Sequence, residues 1–224
     1  VIAIVLLAAV SGCAPKASDG PDQMHANAPL PSAQVSATPQ PTEGDSMLHV
    51  SSTVVTGTER AVIETSKGRI VIEFFAEDAP NTVASFIELA EAGFYDGIRF
   101  HRVVPRFVVQ AGDPQTKGLS ADEVRAIVAR QEQQQYVPGE PVLGTGGPGW
   151  NQKAEFNSRK HLAGTVAMAR SREPDSAGSQ FYICLEPQPS LDGQYTVFGQ
   201  VVEGMDVVRT IEVGDEIVSV TIER

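Results

Sequence analysis

Apolar positions gather in short runs over the later part of the chain and thin out over a long stretch nearer its start. From Ala61 to Phe75, two β-branched runs flank Thr65-Ser66-Lys67-Gly68, which predicts a hairpin. Asp78-Ala79-Pro80 then opens a helix, since Asp can cap it and Pro is tolerated in a first turn. Val83, Phe86, Leu89 and Ala90 give that helix one apolar face, and Gly93 ends it. Strands are predicted over Ile98 to Val104 and Phe107 to Gln110, broken by Pro105. Further strands are predicted over Gly164 to Ala169, Ser179 to Leu185, Tyr195 to Val202 and Glu216 to Glu223, with a short helix over Met205 to Ile211. Many short strands between turn signals suggest a closed barrel or a sandwich, and periodicity alone does not choose.

The start of the chain has a different character. Val1 to Val10 is an unbroken apolar run, too short for a bilayer span of about 20 residues. It fits the apolar segment of an export signal. The stretch Val10-Ser11-Gly12-Cys13 resembles the lipobox of bacterial lipoproteins, which implies cleavage before Cys13 and a lipid on Cys13. Residues 1–12 are therefore expected to be a signal peptide, truncated at its start because an initiator Met and a basic leading segment are missing. Residues 13–58 are expected to form a lipidated tether. Prolines at 15, 21, 29, 31, 39 and 41 stand among Ala, Ser, Gln and Thr. Such a segment cannot bury enough surface to offset its ordering entropy, so residues 14–46 are expected to be disordered. A coil of that length spans roughly 30 Å end to end. Met47 to Val55 reads either as more tether or as an edge of the domain. The expected location is the bacterial cell envelope, lipid-anchored and extracytoplasmic.

Composition narrows the remaining classes. The 224 residues are 42% apolar and 20% charged, which suits one soluble domain, here 59–224, with an appendage. A net charge of −11 argues against nucleic acid as partner, because phosphate binding needs clustered Lys and Arg. Two cysteines, Cys13 and Cys184, exclude a disulfide framework and a zinc site of repeated Cys pairs. Cys184 lies in an apolar run and reads as a buried structural thiol. Gly144 to Gly149 formally matches a dinucleotide-binding glycine pattern, but no helix pattern follows and Pro148 sits where that helix would begin. His101 and His161 have no Cys or His at ligand spacing, and His161 beside Lys160 reads as a surface loop residue.

The sharpest segment is Phe100-His101-Arg102-Val103-Val104-Pro105-Arg106-Phe107-Val108-Val109-Gln110-Ala111-Gly112-Asp113. It sets an Arg in a strand among apolar residues, which is costly unless the head is paired. Downstream stand Gly164-Thr165-Val166-Ala167-Met168-Ala169-Arg170, then Ala177-Gly178-Ser179-Gln180-Phe181-Tyr182-Ile183, then Leu191-Asp192-Gly193-Gln194-Tyr195-Thr196-Val197-Phe198-Gly199. These four segments, in this order, resemble the cyclophilin family of peptidyl-prolyl cis-trans isomerases, from about Ala61 to Arg224. The resemblance implies an all-β fold, a closed eight-stranded antiparallel barrel capped by two helices. It also implies proline-containing polypeptides as substrates, with no cofactor and no metal. A monomer is expected.

That chemistry suits the residues. Rotation about a peptide bond meets a barrier of roughly 18–20 kcal/mol, because resonance is broken. Bringing prolyl isomerisation from tens of seconds to milliseconds takes about four decades, or roughly 5.5 kcal/mol of transition-state stabilisation. No bond is cleaved, so no nucleophile is needed. In the twisted state the prolyl nitrogen is pyramidal and carries a basic lone pair. A permanently charged donor beside it binds that state better than the planar one. By the resemblance, Arg102 has that role and Gln110 orients it. Phe107, Val108, Tyr182 and Leu191 then line the proline socket, with Met168 nearby and Tyr195 on the rim. Gln180 and the backbone around Ala169 and Arg170 would bond the peptide. Phe100, Phe181 and Phe198 are expected in the core, since alternation points them away from the pocket.

The chain departs from the family pattern in places. Ser190 precedes Leu191 where many members have a Trp associated with tight cyclosporin binding, which leaves sensitivity to that inhibitor open. Tyr195 stands for a common His, Arg170 for a frequent Asn, and Arg106 and Ala111 for small or Gly positions. The chain is also longer than minimal members over about 115–143. There Ser120-Ala121-Asp122-Glu123 forms a capping box, and Val124, Ile127 and Val128 make a narrow apolar stripe. A short helix on the barrel rim is expected, either a solvated decoration or a bias on substrate choice. Two rival functions stand beside the isomerase: a proline-peptide-binding chaperone module with little turnover, and an envelope lipoprotein whose fold is a spacer. Arg102 and Gln110 together favour the enzyme.

Overall fold

Residues 48–224 are described by a computed structural model. The apolar run, Cys13 and the tether through residue 47 lie outside them. The chain folds into β1 (Arg60–Thr65), β2 (Gly68–Phe74), α1 (Pro80–Glu91), β3 (Arg102–Val104), β4 (Val108–Ala111), α2 (Ala121–Glu132), β5 (Thr165–Met168), β6 (Phe181–Cys184), β7 (Val197–Glu203), α3 (Met205–Val208) and β8 (Ile217–Glu223). The Ser66-Lys67 turn joins β1 to β2, as the hairpin signal predicts, with Thr65 opposite Gly68.

All eight strands belong to one antiparallel sheet in the order β3-β4-β6-β5-β7-β2-β1-β8. The expected closure is absent. The sheet is an open, curled one, with β3 and β8 as its edges. The reason is the shortness of β3, which spans three residues before Pro105 turns the chain. The segment before β3 makes the remaining contact with the start of β8, through a bridge between Arg99 and Glu216 and the backbone bonds beside it. Gly97 N–H donates to Ile217 O at 2.8 Å, and Phe100 N–H to Asp215 O at 2.9 Å. The Arg99 guanidinium spans this seam, donating to Leu119 O, Gly214 O and the Glu216 carboxylate.

One face of the sheet and the apolar face of α1 enclose the main core. Phe86 is its hub, with ring centroids 4.8 Å from Tyr95, 5.4 Å from Phe198 and 5.6 Å from Phe181. Burying each such side chain contributes roughly 1.5–3 kcal/mol. Phe100, Phe181 and Phe198 are fully buried here, as alternation predicts. Gly93 ends α1 with φ +67, and the N–H of Phe94 reaches Leu89 O, closing the last turn in the left-handed manner that glycine favours.

The start of α1 differs from the sequence reading. Asp78 does not cap it; the cap position is Ala79, without a side-chain bond, and Asp78 pairs with Arg159. The helix is capped from a distant loop. Glu155 accepts from the N–H of Asn81 at 3.0 Å and of Thr82 at 2.8 Å. A carboxylate there also meets the positive end of the helix dipole.

Within the expected tether, residues 48–58 are packed against the domain. His49 stacks on Trp150 at 3.8 Å and bonds Glu88 at 3.1 Å. Asn81 accepts from Ser51 N–H and donates to His49 O. The Glu59 carboxylate takes the N–H groups of Thr56 and Gly57, and these bonds outweigh burial and lower its pKa to about 2.

Because Glu155 satisfies two otherwise orphaned donors, Glu155→Ala is expected to cost about 1–2 kcal/mol of stability. Urea unfolding checks this, and an unchanged midpoint would show that the cap contributes nothing.

Candidate active site

The two faces of the sheet carry different residues because side chains alternate along each strand. On β4, Val109 and Ala111 point into the main core, while Val108 and Gln110 point to the other face. Antiparallel register then builds a row across three strands. Arg102 on β3 lies opposite Gln110 on β4, and Gln110 lies opposite Tyr182 on β6. On β5, Ala167 lies opposite Tyr182. A second apolar cluster forms on this face from Val108, Ala167, Tyr182, Cys184 and Val197, with Phe107, Leu191 and Tyr195 against it.

A cavity of about 240 Å³ opens there. Phe107, Val108, Tyr182, Leu191 and Tyr195 form its apolar wall. Arg102, Gln110, Ala169 and Arg170 supply its polar side. A larger cavity of about 550 Å³ adjoins it, sharing Gln110, Ala169 and Arg170 and reaching Gln180 and the loop from Gly144 to Asn151. Of the residues singled out in the sequence for catalysis and peptide binding, all but one are thus brought together.

The exception is Met168. It is 3% exposed and belongs to the main core, not to the pocket. Its partner across the sheet is Phe181, so the two share the inner face. The alternation that buries Phe181 buries Met168 as well.

Arg102 is exposed and donates to Gln110 Oε1 at 3.4 Å, with its guanidinium 5.6 Å from the centre of the Phe107 ring. Gln110 Nε2 donates to Gln180 Oε1 at 3.0 Å, and Gln180 Nε2 donates to Gly146 O at 2.8 Å. The Arg170 side chain is engaged within the protein. It donates to Gln194 O at 2.8 Å and lies 4.8 Å from the Tyr195 ring centre, which ties the end of β5 to the turn carrying Leu191. Arg106 stands at φ +62 in the turn closed by Phe107 N–H to Val104 O, a position that a Gly would hold with less strain.

His161 is not the surface residue its neighbours suggested. It is 1% exposed and lies beneath the pocket. Its Nδ1 faces Asp192 Oδ1 at 3.1 Å and its Nε2 faces the Tyr182 hydroxyl at 3.0 Å. With a carboxylate at Nδ1, the neutral ring keeps its proton there, and Nε2 accepts from Tyr182. Asp192 also takes the His161 N–H at 2.8 Å, and these bonds lower its pKa to about 2. The signal in the sequence was Asp192 directly after Leu191, but nothing local linked it to His161. Cys184 is buried, as expected, and burial pushes its thiol up to about 12. His101 is buried beside Gly144 with neither ring nitrogen bonded. Among the described residues, no group of three or more His, Cys, Asp or Glu could hold a metal ion.

Comparison with known proteins identifies the family. Residues 60–223 match the family described as cyclophilin type peptidyl-prolyl cis-trans isomerase/CLD. The chain belongs to the cyclophilin family. It is a peptidyl-prolyl cis-trans isomerase. This cyclophilin is 44% identical over 165 residues to a peptidyl-prolyl cis-trans isomerase of Synechococcus elongatus, covering 73% of this chain and 95% of that one. It is 40% identical over 157 residues to peptidyl-prolyl cis-trans isomerase B of Bacillus subtilis, covering 69% and 91%. A crystal structure of a cyclophilin-type isomerase from Cryptosporidium parvum shares the fold with a TM-score of 0.59 at 22% identity, covering 74% of this chain and 98% of that one. The same Cryptosporidium parvum protein has been crystallised in the presence of the dipeptide Ala-Pro.

Burial holds both His101 and His161 below the ordinary imidazole value of 6.5, with Asp113 and Asp192 respectively opposing it. As pH falls through 6.5, these imidazoles take up protons in the unfolded chain before they do so in the folded cyclophilin. The unfolded state then binds more protons, so stability falls with falling pH. Urea midpoints are expected to decline from about pH 6.5 downward, and His161→Gln to flatten that decline. An identical pH profile in the variant would remove His161 from the account.

Proposed function

We propose that this cyclophilin isomerises X-Pro bonds by seating the proline ring in the small apolar cavity and holding the Arg102 guanidinium at the prolyl nitrogen. The observation that carries this reading is the pairing of Arg102 with Gln110 at the edge of a cavity walled by Phe107, Val108, Tyr182, Leu191 and Tyr195. A proline ring offers only C–H groups, so an apolar wall recognises it and leaves the amide at the rim. Guanidinium is a rigid fork of donors, and only one of those on Arg102 is taken by Gln110. Seating a peptide displaces water around the guanidinium and strengthens its field at the nitrogen. The lone pair appears only as the amide twists, so the interaction favours the transition state over either planar isomer. The residues before proline run toward the larger cavity, past Gln180 and the Ala169 backbone.

We also propose that the substrates are exported polypeptides and that a lipid on Cys13 holds the enzyme at the bacterial envelope, outside the cytoplasm. The support is the apolar run Val1 to Val10 and the small residues before Cys13. A lone acyl chain gives only marginal anchoring, so stable attachment calls for more than one.

Two measurements test these readings. Exchange NMR on an Ala-Pro tetrapeptide is expected to give a kcat/KM lower by about 10²–10³ in Arg102→Ala, the usual cost of removing one transition-state donor. Wild-type turnover in that variant would refute the role of Arg102, and peptide binding without wild-type turnover would point to a binding module instead. Cys13→Ser is expected to move the protein from the membrane fraction to the soluble one and to abolish labelling by a fatty-acid probe. Retention with unchanged labelling would refute the anchor.

A further inference from the structure

The insertion that contains α2 is joined to the catalytic row by hydrogen bonds and the backbone from Leu143 to Gly146. The helix begins with the capping box that its sequence predicts, Ser120 and Glu123 exchanging bonds. It is seated on one side against the 213–214 turn, where Arg125 donates to Val213 O and the Ala121 backbone approaches Gly214 too closely for a Cβ. Its buried residues, Val124 and Ile127, pack with Leu143. Gln131 then grips Leu143 like a neighbouring strand. Its Nε2 donates to Leu143 O at 3.0 Å, and its Oε1 accepts from Leu143 N–H at 3.0 Å.

Leu143 leads directly into the glycine loop beside the larger cavity. The buried Asp113 carboxylate takes the N–H of Gly144 at 2.5 Å and of Gly146 at 3.3 Å. A Cβ at position 146 would collide with that carboxylate. The loop is therefore held from two sides, by Asp113 from the body and by Gln131 from the insertion. Its Gly146 carbonyl faces Gln180.

That carbonyl sets a direction. A carbonyl oxygen only accepts, so Gln180 presents its amide nitrogen to Gly146 and its oxygen to Gln110. Gln110 must then present its nitrogen to Gln180, which leaves its oxygen facing Arg102. Guanidinium only donates, so this is the one amide orientation of Gln110 that can hold it. With Gln110 reversed, donor would face donor.

We propose that Gln131 and helix α2 are positioning elements for Arg102: they fix the loop whose Gly146 carbonyl orients the Gln180 and Gln110 amides that hold the guanidinium. This rests on Arg102 acting at the prolyl amide. Gln131 touches neither cavity and is no catalytic residue; it acts through four hydrogen-bonded groups. The insertion thereby contributes to turnover itself.

The test uses the full chain with Gln131→Ala, Gln131→Glu, Arg102→Ala and the Gln131→Ala/Arg102→Ala pair. Exchange NMR on an Ala-Pro tetrapeptide gives kcat and KM, and side-chain ¹⁵N–¹H spectra report Gln110 and Gln180. Gln131→Ala is expected to lower kcat about tenfold, with KM changed less than about twofold, because orientation and not the apolar wall is disturbed. The Gln110 and Gln180 amide signals are expected to move. In the Arg102→Ala background, Gln131→Ala is expected to cost nothing further. Gln131→Glu keeps the packing and the bond from Leu143 N–H but cannot donate to Leu143 O. It is expected to lower kcat less, in the same direction, and it gives the answer if the alanine variant fails to fold. Unchanged kcat in both Gln131 variants overturns the proposal. So does an equal loss in both backgrounds with unmoved Gln110 signals, which would mark a purely structural role. Wild-type kcat in Arg102→Ala would overturn the reading of Arg102 beneath it, whereas a loss there without one at Gln131 overturns the relay alone.

Discussion

Hydrogen bonding of β4 on both of its edges determines the geometry of the pocket. Pairing with β3 sets Arg102 opposite Gln110, and pairing with β6 sets Gln110 opposite Tyr182. A slip of one residue in either ladder would exchange the faces, turning Arg102 or Tyr182 toward Phe86. The cost of burying a guanidinium there, set against the apolar area of Val109, Ala111 and Ile183, pins the register. The same four-residue strand therefore serves two clusters: a dry one under α1 and a half-open one that forms the socket.

Much of the chain around the socket lacks regular structure, and its backbone groups need other partners. Side chains supply them. Asp113 holds the glycine loop, Glu155 caps α1, and Asn157 donates to Val197 O at 2.9 Å. Asp192 and His161 together brace Tyr182 beneath the cavity. Each of these is a buried or half-buried polar group bonded to a backbone or side-chain partner, so each is costly to leave unpaired. The loops that frame the site are thereby fixed without being strands.

Arg102 shows the compromise this permits. In the role proposed for Arg102, transition-state stabilisation needs donors that are oriented yet not already used. An exposed Arg on a short edge strand keeps its donors available, while one bond donated to Gln110 limits where they point. The remaining order comes from behind, through Gln180 and Gly146, where burial strengthens the hydrogen bonds. The row thus places its exposed, charged end at the cavity and its more buried end in the protein.

What the sequence by itself determined was local. The hairpin at Ser66-Lys67, the end of α1 at Gly93, the capping box of α2 and the positions of the strands all follow from turn chemistry and propensity over a few residues. The segments around Arg102, Met168, Gln180 and Leu191 were enough to point to the family and to most of the pocket. What only the tertiary structure decided was long-range. The open edge between β3 and β8, the Glu155 cap 73 residues from Thr82, the burial of His161 and the inward face of Met168 all required the register of distant strands. Residues such as Asp192, Asp113 and Gln131 look like ordinary surface polar groups when read in order along the chain. Their partners are backbone atoms and side chains that come within reach only after the sheet has assembled, and no pattern of neighbouring residues encodes such a meeting.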